Sequence, residues 1–191
     1  MLRKPAEHRL HVKTPIASVA TQILPAAMTD LPAIAALAEI IWREHYPEII
    51  SREQIEYMLG RMYSLNTMQQ EVASGAIDYV RLLVGTRLVG FAAFGPTETP
   101  GVFKLHKCYL LPEFHGRGYG SLLLKHCARA ASKHGARRII LAVNKQNTKA
   151  IAAYQRNGFS VAQAVVTDFG AGFVMDDYIM LKELTPAAPG N

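Results

Sequence analysis

The stretch LLPEFHGRGYGSLLL, Leu110 to Leu124, places three glycines at alternate positions, Gly116, Gly118 and Gly120, between two apolar runs. Glycine loses more conformational freedom on folding than any other residue, so such a run is not there for stability. A strand before it and a helix after it would give it a purpose. The first turn of a helix leaves backbone N–H groups without partners, and the helix dipole adds positive charge at the same end. A turn poor in side chains presents those groups to an anion such as a phosphate. The chain is thereby tied to an α/β arrangement in which a strand delivers bare backbone to a helix N-terminus.

Two known phosphate loops fail on spacing. The dinucleotide fingerprint G-x-G-x-x-G, counted from Gly116, has its third glycine position on Ser121. That fingerprint also belongs early in a doubly wound parallel sheet, whereas an antiparallel meander is expected ahead of this one. The Walker pattern G-x-x-x-x-G-K-S/T is absent.

The order of elements follows from periodicity and punctuation. A strand fits 19–24. A helix starts from Thr29 or Asp30 with Pro32 in its first turn, buries Ile34, Leu37, Ala38 and Ile41, and ends near His45 before Pro47. Ser51 opens a second helix, and Gln54 three residues later predicts a capping box. A polar helix is expected near 67–74. Apolar runs at 78–84 and 88–94, linked by Gly85-Thr86-Arg87, read as a hairpin. There follow a strand over 103–111, the glycine loop, a helix over 119–134 closed by Gly135, a strand over 138–143 and a helix over 148–156. Strands over 160–168 and 173–183 complete the chain. The expected fold is α/β, a mixed and mostly antiparallel sheet of about six to seven strands flanked by helices.

Half of the 191 residues are hydrophobic and 19% are charged, the balance of a folded globular chain. The expected organisation is a flexible basic extension over 1–16, one domain over 17–185 and a disordered end over 186–191. Arg3, Lys4, Arg9 and Lys13 against Glu7 give the extension +3 of the formal +6. It carries no apolar core of a signal peptide, and no apolar run approaches the roughly 18 residues of a membrane span. Neither nucleic acid nor membrane is expected as a partner, a homodimer is admitted, and the expected location is the cytoplasm. Two isolated cysteines, Cys108 and Cys127, make neither a disulfide framework nor a metal site, and no metal is expected.

His115-Gly116-Arg117-Gly118-Tyr119-Gly120 fits the pattern Gln/Arg-x-x-Gly-x-Gly/Ala of the GNAT family of N-acetyltransferases, with histidine at the first position. Asn147, Ala150, Tyr154, Gly158 and Phe159 resemble that family's second motif, in the right order. The resemblance covers roughly 19–184. Leu105-His106-Lys107, Trp42 with Tyr46-Pro47-Glu48, and Gly170 to Tyr178 look most like its PaiA-type polyamine acetyltransferase branch.

The resemblance implies the GNAT fold and acetyl-CoA as acyl donor. The backbone N–H groups from Gly116 to Ser121, across Tyr119, would hold the pyrophosphate, with His115 and Arg117 beside it. The strand edge at Tyr109, Leu110 and Leu111 would pair with the pantetheine amides, and Asn147 and Tyr154 would complete the cofactor site. By resemblance Tyr154 is the acid that protonates the leaving thiolate. The base is open: His106 is the candidate, because its ordinary pKa suits proton transfer at neutral pH, with Glu44, Glu48 and Asp176 as rivals acting through water. Cys108 as an acylated nucleophile is disfavoured, since the resemblance implies direct attack in a ternary complex. The expected acceptor is a small polyamine-like amine held by Trp42, Tyr46, Glu44 and Asp176. A peptide acceptor, or an acetyl-CoA sensor without catalysis, are the alternatives.

Overall fold

The computed structural model describes residues 20–185. The expected tail over 1–16, Val19 and the end over 186–191 lie outside the described residues. Seven strands form one sheet: β1 (Thr21–Pro25), β2 (Asp78–Val84), β3 (Arg87–Pro96), β4 (Val102–Leu110), β5 (Arg138–Asn144), β6 (Ser160–Gly170) and β7 (Phe173–Glu183). Their spatial order is β1-β2-β3-β4-β5-β7-β6. Every neighbouring pair is antiparallel except β4 and β5.

Helix α1 (Leu31–His45) carries Pro32 in its first turn and buries Leu31, Ile34, Leu37, Ala38, Ile41 and Trp42, a stripe at helical spacing. Asp30 fixes its start, accepting from the Ala27 N–H at 2.8 Å and pairing with Arg81 at 2.7 Å. A 3-10 turn over Tyr46–Glu48 follows, where Pro47 ends regular helix. Helix α2 (Arg52–Met62) is capped by Ser51, whose Oγ accepts from the Gln54 N–H at 3.1 Å. The reciprocal half of the expected capping box is not made. Gln54 is buried, and its amide donates instead to the Val174 carbonyl at 2.7 Å, tying α2 to β7. Helix α3 (Leu65–Ala73) begins two residues before its expected start, because Ser64 caps it by accepting from the Thr67 N–H at 3.2 Å.

Helices α4 (Tyr119–Lys133) and α5 (Thr148–Arg156) flank β5 in sequence. They are joined where Asn157 donates to Ser121 Oγ at 3.0 Å.

One irregularity in β4 decides what each side of the sheet carries. Lys107 stands opposite Ala93 on β3 and Leu105 opposite Phe94, so His106 is an extra, bulged residue. A bulge resets the alternation of faces. Before it, Phe103 stacks against His134 at the end of α4. After it, Lys107 reaches Glu71 of α3, and Tyr109 meets Trp42 of α1 and Tyr63 just beyond α2. Odd-numbered residues of one strand therefore serve opposite layers.

Candidate active site

Strands β4 and β5 pair only at Val102, Phe103 and Lys104 with Arg138, Ile139 and Ile140. Beyond that point β5 continues along β7 as far as Asn144, and β4 continues along β3 as far as Leu110. The two parallel strands splay apart. The edge of β4 from Leu105 to Leu110 on the β5 side is left unpaired, and it includes two of the three residues expected to meet a pantetheine arm, Tyr109 and Leu110. The third, Leu111, gives its N–H to Val89 at 2.9 Å.

At the open end of this splay the chain turns into α4. Gly116 and Gly118 have φ of 73° and 84°, the left-handed region that glycine occupies without strain. Gly120 has no such need: its backbone is helical and a Cβ there would meet nothing within 4 Å. A Cβ at Gly116 or Gly118 would also point into open space. The bareness of this turn is therefore not required by the chain's own packing, which fits a cradle for an outside group. Gly118 is the N-cap of α4 and makes no side-chain cap, so the first N–H groups of α4 are left for an anion.

His115 departs from the family pattern, and its ring Nε2 lies 2.9 Å from the Leu110 carbonyl, bridging the loop to the end of β4. Arg117 lies 5.7 Å over the Phe114 ring, and Phe114 meets Tyr119 edge-on. Asn147 caps α5, accepting from the Ala150 N–H at 3.2 Å. Its side chain also lies beside His45, whose pKa is lowered chiefly by burial.

Tyr154 projects from α5 toward Cys108 of β4, packs on Phe159, and has its pKa raised by burial. It is a neutral phenol at any physiological pH. Burial pushes the Cys108 thiol up to about 12, so at neutral pH it holds almost no thiolate for nucleophilic attack.

Beside the open edge of β4 lies an aromatic cluster. Trp42 and Tyr46 stack with ring centroids 4.3 Å apart, and Tyr63 and Tyr109 lie 5.9 and 6.1 Å from Trp42. Burial raises the pKa of Tyr46, Tyr63 and Tyr109 alike, so all three are neutral. Four buried side-chain atoms lack a hydrogen-bond partner among the described residues, and three of them are here: Trp42 Nε1, Tyr63 Oη and Asp177 Oδ1. Orphaned buried polar atoms are costly, and a polar group from outside would satisfy them.

Several expected acceptor residues take other positions. Glu44 is exposed on α1. Glu39 and Glu56 clamp Arg43 at 2.9 and 2.8 Å on the surface. Asp176 is exposed and ion-paired to Lys145, on the other face of β7 from α2. Its neighbour Asp177 shares the face of Met175, which touches Gln54 of α2 at 3.5 Å, and Asp177 is only 7% exposed. The structure thus turns Asp177, not Asp176, to the face of β7 that meets α2, because adjacent strand residues alternate. Burial, reinforced by Asp176, pushes the Asp177 carboxyl up to about 6. His106 is the bulged residue of β4, and burial with Lys104 and Lys107 pushes it down to about 4. Tyr63 and His45 were not singled out in the sequence. A hollow of about 290 Å³ lined by Pro25, Tyr79, Phe94 and His126 shares no residue with this site.

Residues 34–159 match the acetyltransferase (GNAT) family. An uncharacterised N-acetyltransferase of Mycobacterium tuberculosis is 28% identical over 157 residues, covering 82% of this chain and 99% of the relative. Spermidine N(1)-acetyltransferase of Thermoplasma acidophilum is 26% identical over 152 residues, covering 78% and 93%. Among solved structures, the PaiA N-acetyltransferase of Thermoplasma acidophilum in complex with coenzyme A superposes with a TM-score of 0.75 at 26% identity, covering 86% of this chain and 99% of that one. Fold, order of motifs and family match agree: the chain belongs to the acetyltransferase (GNAT) family.

Proposed function

We propose that this protein transfers the acetyl group of acetyl-CoA to a primary amine of a small polyamine-like acceptor, by direct attack with both substrates bound. One observation carries the reading: the splay of β4 from β5 leaves an open strand edge between the bare N-terminus of α4 and a buried cluster of aromatic side chains with Asp177. The backbone N–H groups from Gly116 to Ser121 hold the pyrophosphate, with Arg117 at the rim and His115 fixing the loop to Leu110. The edge at Tyr109 and Leu110 holds the pantetheine amides, and Asn147 and Tyr154 close the site.

Acetyl-CoA supplies an activated thioester carbonyl. Tyr154, kept protonated by its burial, gives its proton to the departing sulfur. Trp42 and Tyr46 present aromatic faces and polar edges to the alkylammonium. Glu44, exposed on α1, adds negative charge outside the aromatic cluster. A small amine is favoured over a peptide because a relative acts on spermidine.

The test is thiol release from acetyl-CoA with a panel of free diamines and polyamines beside peptides bearing free N-termini or lysines. Turnover with the free amines is expected. Turnover with peptides alone would reject the acceptor, and tight CoA binding without any turnover would reject catalysis.

A further inference from the structure

A primary amine is an ammonium at neutral pH, with a pKa of roughly 10, and must lose a proton before it attacks. Two side chains, His106 and Asp177, have the chemistry to take it. His106 is the less suited: an imidazole pushed down to about 4 binds a proton weakly at neutral pH. Asp177 differs in geometry. It is buried, it lies opposite Asn144 where β5 ends at the mouth of the splay, and its Oδ1 has no partner. Tyr46 lies within charge range of both Asp177 and Tyr154.

We propose that the unpartnered carboxylate oxygen of Asp177 receives the proton of the acceptor's ammonium. This rests on the amine acetyltransferase reading above. The ammonium gives one proton to Asp177, which passes it to water. The freed nitrogen lone pair forms the C–N bond, and the C–S bond breaks with its electrons going to sulfur. The second N–H proton balances the one that Tyr154 gives the thiolate, so the products are the acetamide, the free thiol and one proton.

The charged and titratable groups facing Asp177 are Lys104 of β4, Lys145 beyond β5, Asp176 beside it and Tyr46 beyond α1. The two lysines favour the charged carboxylate. Burial, the largest influence, and Asp176 oppose them, leaving a carboxyl tuned to about 6. A base in that range holds a proton far better than an ordinary aspartate and is still ionised at pH 7.

Two measurements test this. In the chain without ligands, labelled with carboxyl-13C aspartate, one resonance should titrate near 6 and be missing from Asp177→Asn. With spermidine as the probe acceptor, Asp177→Asn should lower kcat on the order of 10²- to 10⁴-fold, the usual share of a general base, with little change in KM. That loss should shrink for a weakly basic fluoroalkylamine that is already unprotonated at pH 8. An Asp177 resonance that titrates with ordinary aspartates would overturn the proposal, as would a rise in KM alone or an equal loss with both amines. Wild-type protein that binds CoA but acetylates no amine would overturn the functional reading as well, which separates the two failures.

Discussion

Asp176 and Asp177 are neighbours on β7 and lead opposite lives: Asp176 pairs with Lys145 at the surface, while Asp177 is buried with one oxygen unpartnered. Alternation along the strand is the whole cause. The arrangement has a cost in stability. Below pH 3.8, the ordinary value, the Asp177 carboxyl is protonated in both the folded and the unfolded chain and costs nothing. Between 3.8 and about 6 the unfolded chain releases its proton first, so stability falls as pH rises, and above about 6 the full cost remains.

Asp177→Asn should therefore be more stable than wild type at pH 8, by up to about 3 kcal/mol, which is what a rise of roughly two pKa units is worth. At pH 3.5 the gain should vanish. Urea unfolding at both pH values checks this, and a gain that does not depend on pH would contradict a raised Asp177.

Tyr154 is the expected donor to the leaving thiolate. Tyr154→Phe keeps the ring that packs on Phe159, with centroids 5.8 Å apart, and removes only the hydroxyl. Turnover should fall by on the order of 100-fold or more, the lower range for a general acid. CoA affinity measured by calorimetry should stay within a few-fold. Unchanged turnover would remove the assignment.

Gly120 offers a substitution that separates fold from cofactor. Nothing lies within 4 Å of a Cβ there and its backbone is helical, so Gly120→Glu should fold with nearly wild-type stability. Its carboxylate would meet the pyrophosphate at the first turn of α4. At an effective dielectric of about 20 that repulsion reaches a few kcal/mol, so CoA affinity should fall by on the order of 100-fold or more. Retained affinity would place the pyrophosphate elsewhere.

How far the sequence spoke depends on the kind of signal. The glycine loop, the cap at Ser51 and the amphipathic stripe of α1 are local, and local sequence carries them, whereas the cap at Ser64 shows only in the structure. The bulge at His106 has no such mark, since neither glycine nor a turn residue stands there. Yet it decides that Lys107 and Tyr109 face α1–α3 while Phe103 faces α4. The choice between Asp176 and Asp177 depends on strand register, set by distant pairings with β5 and β6. The pairing of Glu39 with Arg43 is local as well, since a spacing of four residues on α1 brings them together on the surface.

Lys107 is the other residue whose surroundings no pattern announced. Its buried ammonium donates to Glu71 at 2.7 and 3.0 Å and to the Tyr79 hydroxyl at 2.6 Å. Glu71→Gln leaves that charge uncompensated and should cost about 3–5 kcal/mol. Lys107→Met should cost less, because Glu71 is partly exposed and water can solvate it. The double variant Lys107→Met with Glu71→Leu should recover much of the loss. Denaturant midpoints of the three variants decide, and equal losses in the two single variants would contradict a buried, dependent lysine.

The central claim, acetyl transfer from acetyl-CoA to a small amine, is tested most directly by following both products at once. Purified protein mixed with acetyl-CoA and spermidine should release free thiol and form N-acetylated amine in a one-to-one ratio, with initial rates that depend on both substrates. Thiol release without acetylated amine, or neither product with any amine in the panel, would contradict it.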